Sequence, residues 1–171
     1  MATMEEKLVQ AFEIAQEMLD YLDIETGDVE QLEVNTRAKR RWGQCSYNRV
    51  TGKFKISISS KLLGENEKSE KGLLNTVVHE LLHTCDGCQN HGDRWKHLAD
   101  KVNAEFNLGI KRCDSAKEKG VEDDYVPAPV KYRLKCPNCG HIYHRRKMCY
   151  PVKHPEDCGC THCGHWGLEL L

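Results

Sequence analysis

The chain has 171 residues, of which 39% are hydrophobic, and its formal net charge at pH 7 is −1. This composition excludes a wholly disordered chain, and the length suits one ordinary domain or a small domain with an appended module. No apolar stretch approaches the roughly 18 residues of a membrane-spanning helix, and the N-terminus carries Glu5 and Glu6 without a secretory signal. We therefore expect a cytoplasmic protein with no membrane partner.

Hydrophobic periodicity predicts three helices, over residues 5–22, 71–84 and 93–106, the last with Asp93 as its N-cap. Between the first two helices, Leu32 and Val34 alternate with acidic residues, which indicates a short strand.

A second strand is predicted over residues 53–59, where apolar and polar side chains alternate after a turn. It is expected to form a hairpin with the segment around Trp42. As an edge strand it could hold an extended substrate by backbone pairing.

The chain divides into three segments by composition. Residues 1–113 hold the predicted helices and strands, whereas residues 114–129 are acidic, carry Pro127 and Pro129 and lack an apolar pattern. We interpret the latter as a linker to a cysteine-rich module over residues 130–171.

Ten cysteines and nine histidines in a chain without a secretory signal favour metal binding over disulfide bonds. Residues 79–83 read His-Glu-Leu-Leu-His, and on a helix this spacing places His79 and His83 on one face. Two such imidazoles can bind one zinc ion, with Glu80 beside them as a general base acting on water. This pattern is that of a zincin, a zinc peptidase in which the metal lowers the pKa of bound water to about 7.

A catalytic zinc site needs a third protein ligand, and Asp86-Gly87 would end the helix so that the chain can return. His91, followed by Gly92, is the preferred third ligand, and His97 in the third helix is the alternative. An oxyanion donor is not identified by any motif; Tyr47 and Tyr125 are candidates.

Two Cys-x-x-Cys motifs, each followed by glycine, are separated by 20 residues in the C-terminal module. This is the spacing of a four-cysteine zinc ribbon, whose ligands would be Cys136, Cys139, Cys160 and Cys163.

The other cysteines are ambiguous. Cys85 and Cys88 could bind a second structural metal with Cys113 or Cys45, but they are better explained as partly buried small residues that shape the loop to His91. Cys149 and Cys158 are spare thiols within the module.

Residues 36–61 and 130–155 contain basic residues and no acidic ones. Each stretch is either a solvated surface or a phosphate-binding patch. Basic residues interleaved with aromatic rings are typical of single-strand sites, which predicts salt-sensitive binding of single-stranded DNA through Arg145, Arg146 and Lys147. The rings concerned are Trp42, Tyr47, Tyr132, Tyr143 and Tyr150.

Taken in order, these motifs resemble the SprT-like (Spartan-related) zinc metalloprotease family. The resemblance rests on Arg41-Trp42-Gly43, residues 53–59 and 76–83, His91-Gly92, Trp95-Lys96 and the four-cysteine ribbon. It implies an α+β fold: a minimal zincin-type metalloprotease domain, with helices packed on a small sheet, followed by the ribbon.

The resemblance further implies His79, His83 and His91 as ligands of one catalytic zinc, Glu80 as the base, and a second, structural zinc in the ribbon. The expected enzyme is a zinc metallopeptidase that cleaves polypeptides bound or crosslinked to DNA, as in DNA–protein crosslink repair. Two alternatives remain open: a zinc peptidase with no nucleic-acid link, and a nucleic-acid- or protein-binding zinc module with a degenerate protease site.

Overall fold

The computed structural model describes residues 2–38, 40–64, 66–122 and 126–171. Within these ranges the fold is α+β, with four α-helices and two three-stranded sheets. The chain forms two compact units, residues 1–125 and residues 126–171. In the described part of the chain, every helix is too short or too polar to cross a membrane.

Three helices belong to the first unit: α1 (Met4–Tyr21), α2 (Glu67–Leu82) and α3 (Asp93–Phe106). Helix α2 begins four residues before its predicted start because the Asn66 side chain caps it, accepting a hydrogen bond from the Ser69 N–H at 2.7 Å. Helix α3 has the predicted bounds, but its N-cap is Gly92. Asp93 is the first helical residue, where a negative charge is favoured by the helix dipole.

The sheet of the first unit contains β1 (Val29–Asn35), β2 (Gly43–Asn48) and β3 (Lys53–Ser59), in the order β1-β3-β2. Strand β1 pairs parallel with β3, and β2 pairs antiparallel with it, which confirms the predicted hairpin. The prediction that residues 53–59 form an edge is wrong. Strand β3 is the central strand of the sheet, with Ile56 and Ile58 fully buried on one face and Ser57 and Ser59 buried on the other.

Helix α2 lies at the centre of the first unit and contacts α1, α3, β2 and β3. Four side chains of its second half are fully buried: Val77, Val78, Leu81 and Leu82. Because interiors are close-packed, this burial fixes the last turn of α2 and the two residues between those pairs, His79 and Glu80.

Residues 114–121, which we placed in a linker, pack against α2. Ala116 and Lys119 are buried, and a Cβ atom on Gly72 would lie 2.5 Å from the Lys119 carbonyl oxygen. Only glycine permits this approach of the two backbones. The sequence pattern missed the contact because it depends on one alanine, one lysine and a distant glycine.

The second unit contains β4 (Tyr132–Lys135), β5 (Ile142–Arg145) and β6 (Glu169–Leu170), in the order β5-β4-β6, with a one-turn helix α4 (Tyr150–Lys153). Its core is small and consists of Leu134, Cys136, Val152, Cys160 and Leu168. Each Cys-x-x-Cys motif ends in a glycine with positive φ, 73° at Gly140 and 76° at Gly164. This conformation, which other residues rarely adopt, turns the chain after each pair of cysteines.

Candidate metal sites and cleft

Three histidines of the first unit come together at the end of α2. His79 lies in the last turn, His83 is the C-cap, and His91 follows in the loop before α3. The Nε2 atom of His91 lies 3.0 Å from that of His79 and 3.2 Å from that of His83. His97, the alternative ligand, is exposed on α3 and lies outside this group.

The donor set fits a zinc ion. Two nitrogen ligands of a tetrahedral zinc lie about 3.3 Å apart, close to the observed Nε2 separations. The Nδ1 atom of His83 lies 2.8 Å from the Cys88 carbonyl oxygen, and the His79 ring is hydrogen bonded to the backbone of Lys111. Such bonds fix the tautomer and leave the other ring nitrogen free to bind a metal.

Burial favours the neutral form of His79 and His91, which is the form that binds metal. Desolvation, assisted by the neighbouring histidines, lowers the pKa of His79 to about 3, and burial also lowers the pKa of His91. The ring of Trp95, itself 2% exposed, lies 4.5–5.6 Å from all three imidazole rings, measured between centroids. Trp95 therefore packs beneath the histidine group as a rigid support.

Glu80 is buried against β2. Its carboxylate accepts a hydrogen bond from the Cys45 N–H, and a Cβ atom on Gly43 would lie 2.5 Å from its Oε1 atom. Burial raises the pKa of Glu80 to about 7, although this hydrogen bond and the charges of Lys119 and Arg41 oppose the shift. The sequence motif pointed to Glu80, but nothing in it pointed to Gly43, whose missing side chain makes room for the carboxylate.

The histidines and Glu80 line one cleft of about 600 Å³. Strand β2, an edge of the sheet, forms one wall with Gly43, Cys45 and Tyr47. Several cations also line the cleft: Arg40, Arg41, Arg112 and Lys119. Tyr47, one of the two candidate oxyanion donors, is 55% exposed at this wall, and Tyr125 lies outside the described residues.

Sequence reasoning missed a buried polar cluster beside this cleft. The ammonium group of Lys119 lies 2.8 Å from an Asp114 carboxylate oxygen and donates a hydrogen bond to Asn75, whose amide donates to the Leu108 carbonyl. Asp114 also accepts the indole N–H of Trp42 through its backbone carbonyl. The ion pair with Asp114 offsets the free-energy cost of burying the charge of Lys119.

The second unit brings its four predicted cysteines together. The sulfur of Cys136 lies 3.6 Å from that of Cys163, and the sulfur of Cys139 lies 3.7 Å from that of Cys160. Sulfur ligands of a tetrahedral zinc lie about 3.8 Å apart, so the set fits zinc, whereas a disulfide would need about 2.0 Å. The Tyr143 hydroxyl lies 3.1 Å from the Cys160 sulfur, and this contact, with backbone N–H groups of Cys163 and His162, lowers the pKa of that thiol to about 5.

The remaining cysteines form no metal group among the described residues. Cys85 and Cys88 are buried in the hydrophobic core of the first unit, where they shape the loop that leads to His91. Cys45 and Cys113 line the cleft, while Cys149 and Cys158 pack beside the small core of the second unit. The positions of these six thiols, and not their burial, thus separate them from the four-cysteine group.

Comparison with known protein families finds a match to the first unit. The model of the SprT-like family matches residues 12–114, which include all three clustered histidines, Glu80 and strands β1 to β3. The chain belongs to the SprT-like family. Among curated proteins, no sequence matches this SprT-like chain.

Proposed function

We propose that this SprT-like protein is a zinc-dependent metallopeptidase with a minimal zincin site. The observation that carries the proposal is the convergence of three histidines in a cleft that Glu80 also lines, with the Nε2 atom of His91 3.0 Å and 3.2 Å from those of His79 and His83. A zinc ion bound by His79, His83 and His91 would supply Lewis acidity, polarising the scissile carbonyl and activating water.

Glu80 supplies the proton transfers in this proposal. Its carboxylate accepts a proton from the attacking water and then donates it to the leaving amine. The Cys45 N–H and the space above Gly43 hold the carboxylate in place, and a pKa near 7 allows it to gain and lose a proton at neutral pH. Glu80 lies outside the three-histidine group, which suits a base better than a ligand.

Strand β2 supports a polypeptide substrate. It is an edge strand that lines the cleft, and an extended peptide can add to such an edge by backbone pairing. A folded protein cannot present an extended segment there, so we propose disordered or locally unfolded polypeptides as the substrates.

The finer proposal is that these substrates are associated with or crosslinked to DNA. In the second unit Arg146 and Lys147 are exposed, and Arg145 lies over the Tyr143 ring at 5.8 Å. Of the rings that we expected to stack on bases, Tyr132 and Tyr143 pack in the small core, and only Tyr150 is exposed in this unit. Trp166, 70% exposed, is a further ring that our sequence analysis had missed.

The peptidase without a nucleic-acid link and the degenerate binding module stay as alternatives. The peptidase alternative differs only in the role of the basic surface of the second unit. The binding-module alternative is disfavoured because one cleft is lined by all four side chains of the proposed site: His79, Glu80, His83 and His91.

The test is cleavage of a disordered protein by the zinc-loaded full chain, with and without single-stranded DNA. We expect Glu80→Gln to bind as much zinc as wild type and to lose at least about 100-fold in rate, the usual contribution of a general base. Glu105→Gln, the same change on the exposed surface of α3, is the control and should cleave normally. Equal rates for Glu80→Gln and wild type would end the peptidase proposal.

A further inference from the structure

A second cavity, of about 770 Å³, adjoins the cleft. The two share three wall residues, Tyr47, Phe54 and Gln89, so they form successive parts of one groove within the first unit. The proposed function uses only the part that contains the histidines. The second cavity takes no part in the proposed chemistry, but a polypeptide bound in the cleft and longer than a few residues would extend into it.

The two cavities carry opposite charge. Three acidic side chains line the second cavity, Asp23, Glu25 and Asp86, against one cation, Arg94. All three acids are exposed, and the described residues provide no ion pair for any of them. The guanidinium group of Arg94 already forms a hydrogen bond with the Cys88 thiol.

In the cleft, exposed basic side chains outnumber the acidic ones. Its acids are Glu80, assigned to catalysis, and Asp114, which pairs with Lys119 and Lys111. Three arginines that line the cleft are exposed: Arg40, Arg41 and Arg112.

Aromatic rings give the second cavity a further preference for cations. Tyr47 and Phe54 pack with their ring centroids 5.1 Å apart and line the cavity at its junction with the cleft. Ring faces attract ammonium and guanidinium groups, and the long apolar stems of lysine and arginine can pack along them. An acidic rim with an aromatic wall thus suits one basic side chain.

We propose that the second cavity is a subsite for a lysine or arginine side chain of the substrate, and that the arginine-lined cleft favours an acidic residue across the cleaved bond. This inference rests on the proposed peptidase function. The groove would then choose among disordered segments by their charge pattern, with a basic residue on one side of the cut and an acidic residue on the other.

The experiment uses internally quenched peptides that are identical except for Lys, Gln or Glu at one position on either side of the cleaved bond. The zinc-loaded full chain is assayed with single-stranded DNA present throughout. On one side, we expect wild type to favour Lys over Glu by about three- to tenfold in kcat/KM, and on the other side to favour Glu over Lys. Both preferences should weaken as salt is raised.

Glu25→Lys is the informative variant, since Glu25 is exposed and forms no ion pair with the described residues. Asp23 is unsuitable because its φ of 51° strains most replacements. Glu25→Lys should abolish or reverse the Lys preference and leave the Glu preference unchanged. Glu13→Lys makes the same charge change on α1, away from both cavities, and should retain both preferences.

The outcomes separate the two proposals. Efficient cleavage of all peptides without a charge preference, or identical profiles for Glu25→Lys and Glu13→Lys, overturns the subsite and leaves the peptidase intact. If wild type cleaves none of the peptides, the peptidase proposal fails and the subsite fails with it.

Discussion

The core of the first unit contains 21 buried residues among those described, drawn from three helices, the central strand β3 and loops, whereas the core of the second unit contains five. Two of those five, Cys136 and Cys160, belong to the four-cysteine group. Hydrophobic burial scales with the area removed from water, so we expect the first unit to fold on its core alone and the second to need a metal for its stability. We therefore expect a catalytic role for the histidine group and a structural role for the cysteine group.

The largest expected effect follows from removing one ribbon ligand. Cys139→Ser should unfold residues 126–171 while the first unit keeps its structure, because zinc binding contributes on the order of 10 kcal/mol to the folding of small zinc modules. Amide hydrogen exchange would show loss of protection confined to the second unit.

Cys149→Ser is the matched control, since Cys149 lies in the same unit but outside the four-cysteine group. Its exchange pattern should equal that of wild type. Loss of protection in α2 of the Cys139→Ser variant would show that the two units depend on each other for stability.

The next effect in size concerns the histidine group. His83→Ala should abolish zinc binding in the first unit and cleavage of a disordered protein, yet lower the melting temperature of that unit by only a few degrees, because the buried side chains of α2 remain. Differential scanning calorimetry of the zinc-loaded protein measures this. Complete unfolding of the first unit in His83→Ala would instead give its metal a structural role like that of the ribbon.

The smallest expected effect is on nucleic acid. Replacing Arg145, Arg146 and Lys147 with Ala should weaken binding of single-stranded DNA and reduce the slope of log affinity against log salt by up to about 2, as expected for three lost phosphate contacts. Cleavage of a free peptide should be unchanged.

A control with the same charge change removes three exposed lysines of the first unit: Lys71, Lys96 and Lys117. Fluorescence anisotropy at several salt concentrations compares the two. If both triple variants bind DNA equally well, the basic surface of the second unit is a solvated face, and the peptidase without a nucleic-acid link gains support.

Features that depend on local spacing could be predicted from the sequence, whereas features that depend on contacts between distant segments could not. Local spacing determines the pairs His79 and His83, and Cys136 and Cys139, so both motifs could be read from the chain, as could the helices, whose apolar periodicity is strong. The fit of Glu80 against Gly43 and the burial of Lys119 against Gly72 depend on contacts between distant segments. Strand order also lacked a local signal: alternation marks β3 as a strand, but its central position depends on pairing with β1, a segment about 20 residues away in the sequence.

The most direct test of two metal sites with different roles is the zinc content of three proteins: wild type, His83→Ala and Cys139→Ser. We predict about two zinc ions per chain in wild type and about one in each variant, with the ion of Cys139→Ser lost sooner to a chelator than the ion of His83→Ala, because four thiolates close the ribbon site. One zinc ion in reconstituted wild type, or two in His83→Ala, would contradict the account.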